Sequence, residues 1–154
     1  MCWGIKMKKN IIFVFVIHII LSAIAFLAVL PFFNIIDEAE KRKYFFVFLY
    51  TVIFSLLYYL SGKKLLAKEK ARQNILSILP CFLSSLLVTV FSILNIFSDN
   101  YGLAISANPA YMPLLALLNK KVFNLGNEYG IITLIFVPLP FLFMFLGLLR
   151  KKAK

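Results

Sequence analysis

Four stretches of the chain carry apolar residues almost without a break, at 11–36, 44–61, 75–97 and 131–149. The first is interrupted only by His18, Ser22, Pro31 and Asn34. None of the four alternates polar with apolar positions, so a half-buried strand is not the expected element. A helix rises about 1.5 Å per residue, so each stretch covers roughly 27 Å or more, close to the ~30 Å of a bilayer's hydrocarbon core. Helices also satisfy their own backbone groups in lipid, which unpaired strands do not. The pattern therefore predicts an all-α integral membrane protein: a four-helix transmembrane bundle forming one membrane domain over 1–154.

Between these runs the chain is punctuated. Pro31 and Asn34 loosen the end of the first helix, and 37–43 makes a short turn. The connection Gly62 to Asn74 holds Ala67, Glu69, Ala71 and several lysines, and reads as helical rather than loose, with Leu65 and Leu66 placed to dip into the membrane interface. The long connection from Ser98 to Gly130 should have structure of its own. Ser98-Asp99-Asn100-Tyr101-Gly102 stops a helix, and Asn108-Pro109 starts one. Tyr111, Leu114, Leu115, Leu118, Val122 and Leu125 then recur at helical spacing. The expectation is an external amphipathic helix at about 109–124, lying on the outer leaflet or over the bundle mouth. Both hairpins have the same orientation, so an inverted repeat of the transporter kind is excluded.

Composition removes the soluble alternative. The chain is 62% hydrophobic and 15% charged, and a 154-residue soluble domain has too much surface to hide that excess. Charge sets the orientation. The amino-terminal tail, the 62–74 connection and the tail from Arg150 carry twelve Lys and Arg against one acid, Glu69. The other two connections carry five Lys and Arg against five acids, so the net charge of +11 lies on one side. The positive-inside rule makes that side cytoplasmic, with both termini there. Lys6, Lys8 and Lys9 resemble the basic region of a signal peptide, and Ala23-Ile24-Ala25 a cleavage site. Apolar sequence continues well beyond it, which favours an uncleaved anchor. Lys63, Lys64, Lys68, Lys70 and Arg72 suit anionic lipid headgroups, and nothing beside them resembles a base-reading surface, so no nucleic acid is expected. Tyr44, Tyr58 and Tyr59 fit as interfacial anchors. A Lys-, Ile- and Phe-rich, alanine-poor composition suits a bacterial cytoplasmic membrane.

Polar residues inside the runs are the candidate chemistry. Ser77, Cys81, Ser84, Ser85, Thr89, Ser92 and Asn95 fall at spacings of three and four on the third run, which marks it as the hub of the bundle. Thr51, Ser55, Tyr58 and Gly62 repeat the pattern on the second, and His18, Ser22 and Ala25 on the first. In lipid, small residues and interhelical hydrogen bonds supply the attraction between helices, so packing is the plainer reading and a lined polar pathway the sharper one. His18, the sole histidine, is a candidate proton or ligand site, with Ser22, Ser55, Cys81, Ser84 and Ser85 as its surroundings and Ser55 and Cys81 at similar depth. Its plainer reading is a neutral imidazole bonded to a serine or carbonyl on a neighbouring helix. Pro80, Pro138 and Pro140 should break backbone hydrogen bonding, with a kink at 138–140.

Catalysis is not expected. None of the six acids lies inside an apolar run, one histidine excludes bis-histidine haem and HExxH zinc, and no Walker or GxSxG motif occurs. The two cysteines lack metal-ligand or CxxC spacing. No cofactor or metal is expected. The leading expectation is a non-catalytic accessory, regulatory or immunity-type protein that binds another membrane component. The alternative is a small oligomeric transporter or channel that uses the polar face of the third helix.

Overall fold

The computed structural model describes residues 3–35, 40–66, 71–93 and 134–150. These residues are all-helical apart from short turns. Helix α1 spans Trp3–Ile35, α2 spans Glu40–Lys64, α3 spans Ala71–Ile93 and α4 spans Leu139–Leu149. Three of them contain stretches long and apolar enough to cross a membrane: Met7–Ala28, Phe45–Lys64 and Arg72–Phe91. Leu134–Leu149 is a shorter apolar stretch. The expected external helix at 109–124 lies outside the described residues, as do Lys68, Lys70, Asn95 and the side chain of Ser92.

The helices outrun the apolar stretches. α1 begins within the basic tail and continues through Pro31 to Ile35, so that proline does not end it. α2 and α3 absorb both ends of the 62–74 connection, and after α2 Leu65 and Leu66 turn, with Leu65 N–H donating to the Ser61 carbonyl at 2.9 Å; 67–70 lie outside the described residues. Leu66 is fully buried against the core, whereas Leu65 is exposed. α3 runs unbroken through Pro80. The kink expected at 138–140 takes a different form. A helical turn at 134–136 stops, Val137 and Pro138 form a turn, and α4 starts anew with Pro138 as its cap and Pro140 in its first turn. A first-turn N–H has no intrahelical acceptor, so proline there forfeits no bond. The new helix opens with Leu142 N–H bonded to the Pro138 carbonyl at 2.8 Å.

Packing divides the helices into two pairs. α2 packs most extensively on α4, and α1 on α3; the α3–α4 and α1–α2 interfaces are thinner. α3 is therefore not the hub, since the largest interface excludes it. Glycine explains the α2–α4 contact. A Cβ on Gly62 would overlap the Met144 carbonyl oxygen, and one on Gly147 would overlap the Tyr59 carbonyl oxygen. Two backbones touch there because neither helix carries a side chain at the crossing, and dispersion between close backbones is what small residues contribute.

The burial pattern is inverted relative to a soluble protein. Ile12, Ile19, Leu27, Phe48 and Ile135 are each more than 60% exposed. Asn10, His18, Asn74, Ser77, Ser85 and Thr89 are buried. The interior between them is filled by Val14, Tyr58, Met144 and Leu148, all fully buried.

Direction follows from side-chain pairings. His18 meets Tyr58 and Ala25 meets Tyr50, so α1 and α2 are antiparallel. Gly147 abuts Tyr59 and Lys63, which brings the carboxy-terminal ends of α2 and α4 together. α3 starts shortly after α2 ends. Lys8, Lys9, Lys63, Lys64, Arg72 and Arg150, all exposed, consequently share one end of the molecule.

Candidate functional site

One residue from each helix meets at His18. The imidazole Nδ1 is 3.0 Å from the Tyr58 hydroxyl on α2, and Nε2 is 3.3 Å from the Ser85 hydroxyl on α3. Its ring lies 5.1 Å from that of Phe141 on α4, tilted at 46°. Phe141 in turn meets the Phe82 ring edge-on, at 5.7 Å and 70°. His18 is 8% exposed and Tyr58 fully buried. The site thus joins the α1–α3 pair to the α2–α4 pair.

The local sequence places these groups. On α1 the buried positions are Asn10, Val14, Ile17, His18, Leu21 and Ala25, spaced by three and four as one face of a helix requires. On α3, Asn74, Ser77, Ile78, Cys81, Ser85 and Thr89 form the corresponding face. A neutral imidazole has one donor and one acceptor nitrogen, and a hydroxyl does both. Either Tyr58 donates to Nδ1 while Nε2–H donates to Ser85, or Ser85 donates to Nε2 while Nδ1–H donates to Tyr58. The same two hydroxyls satisfy either tautomer. No carboxylate is among the described side chains.

The sequence-derived cluster comes together only in part. Ser85 bonds to His18, but Ser55 and Cys81, expected at its depth, sit about one helical turn away from Tyr58 and Ser85 respectively. Ser55 is partly buried and Cys81 fully buried. The Ser84 hydroxyl donates to the Cys81 carbonyl at 2.8 Å. Ser22 Oγ, one turn beyond His18, is buried without a hydrogen-bond partner.

Much of the expected interhelical bonding by the small-residue stripes is absent where it can be traced. Thr51 donates to the Val47 carbonyl, Ser61 to Leu57, Ser77 to Gln73 and Thr89 to Ser85, each four residues back on its own helix. These hydroxyls satisfy themselves and act between helices by being small. Bonds between helices include those of His18 with Tyr58 and Ser85, and Tyr50 OH to the Ala25 carbonyl at 2.7 Å.

Tyr58 is the main correction to the sequence reading: it is an internal partner of His18, not an interfacial anchor. Phe82 and Phe141 beside His18, and the buried Asn10 and Asn74, lie outside the polar stripes that the spacing marks. The asparagines had a signal, since each continues the buried face of its helix toward the basic end. The aromatics had none in a chain with 17 phenylalanines.

At the basic end, Lys9 places its ammonium 5.6 Å from the Phe13 ring centroid. Lys63, Lys64 and Arg72 of the expected lipid-contacting set are exposed there. Among the described residues, no group of three or more His, Cys, Asp or Glu side chains is placed to hold a metal ion. Comparison with protein-family models, with curated proteins and with solved structures finds no match for this chain.

Proposed function

We propose that this chain is a multi-pass protein of a bacterial cytoplasmic membrane that crosses the bilayer four times as a four-helix bundle, with its basic end in the cytoplasm. Its role is non-catalytic: it acts as an accessory, regulatory or immunity-type subunit by binding another membrane protein. Membrane residence is supported by the outward Ile, Leu and Phe side chains on all four helices, whose exposure to water would be prohibitive. Orientation is supported by the exposed cations at one end, six of them among the described residues.

The observation that carries the binding role is the filled interior. The polar face of α3 turns inward, Ser77 and Thr89 are satisfied by their own helix, and Tyr58, Met144 and Leu148 occupy the space between helices. What remains available to other molecules is the outer surface. Purification of the tagged chain from its native membrane in mild detergent, with crosslinking and mass spectrometry, tests this reading. A foreign membrane protein at stoichiometric yield is the expected result. Recovery of the chain only with itself would overturn it.

The second reading, an oligomeric transporter or channel, has one observation in its favour: the unpartnered hydroxyl of Ser22 beside His18. It requires water to reach α3. Cysteines introduced at Ser85, Thr89 and Ser92 separate the readings, since labelling at all three favours a pathway and failure at all three favours a packed interior.

A further inference from the structure

No further inference is drawn: the strongest candidate, the buried side-chain cluster of His18, Tyr58 and Ser85 where α1, α2 and α3 meet, belongs to the site already described, and nothing in the structure shows what the unpartnered Ser22 hydroxyl one helical turn along α1 would bind.

Discussion

His18 has two hydroxyl partners on two other helices, and their loss should be measurable one bond at a time. Hydrogen bonds between membrane helices are worth about 0.6 kcal/mol on average and at most about 1.7 kcal/mol, because the unfolded chain in lipid also finds partners. Tyr58→Phe keeps the ring and removes the Nδ1 partner, so it should destabilise the folded protein by about 1 kcal/mol in reversible unfolding in detergent. His18→Ala removes both bonds and leaves a cavity against Phe141, so about 2 kcal/mol or more is expected. In the double variant Tyr58→Phe should add almost nothing, as the two groups share one interaction. Ser22→Ala should behave oppositely. Its hydroxyl is buried without a partner, so the substitution should be neutral or stabilising by up to about 1 kcal/mol. Full additivity at His18 and Tyr58, or a clear loss at Ser22, would contradict the geometry described here.

At the scale of elements, the glycine crossing of α2 and α4 carries the sharpest expectation. Gly62→Ala or Gly147→Ala places a methyl on backbone atoms of the facing helix, which no rotamer change relieves. Each should cost about 1–3 kcal/mol, the usual range for overpacking, in the same unfolding assay. Ala23→Leu on the exposed face of α1 should stay within about 0.5 kcal/mol as a surface control. This contact also marks the limit of what spacing reveals. The apolar runs made the helices legible, and the three-and-four spacing of Ser77, Cys81, Ser85 and Thr89 made the buried face of α3 legible. Height along a face was not. A stripe repeats every turn, so pairing His18 with Ser55 and Cys81 looks as good on paper as pairing it with Tyr58 and Ser85. Packing partners were equally hidden, because outward and inward faces are both apolar and Gly147 stands alone in an apolar run. Pro31 and Pro80 misled for a related reason: a long, well-packed helix tolerates one missing backbone bond.

For the whole molecule, two helix pairs meet through thin interfaces, with one histidine of α1 touching the other three helices and basic ends gathered at one pole. The proposed orientation rests on that end: the sequence puts twelve Lys and Arg on one side of the apolar runs, and the six of them with described side chains share one end of the molecule. The most direct test is cysteine accessibility in intact cells, in a background with Cys2 and Cys81 replaced by serine. Single cysteines at Lys9, Lys64 and Arg150 probe the basic pole; those at Glu38 and Asn100 probe the two opposite connections. A membrane-impermeant maleimide should label Glu38→Cys and Asn100→Cys at once, and the other three only after the membrane is permeabilised. Labelling of any basic-pole cysteine in intact cells, or protection of either opposite site, would contradict a chain that crosses four times with its basic pole in the cytoplasm.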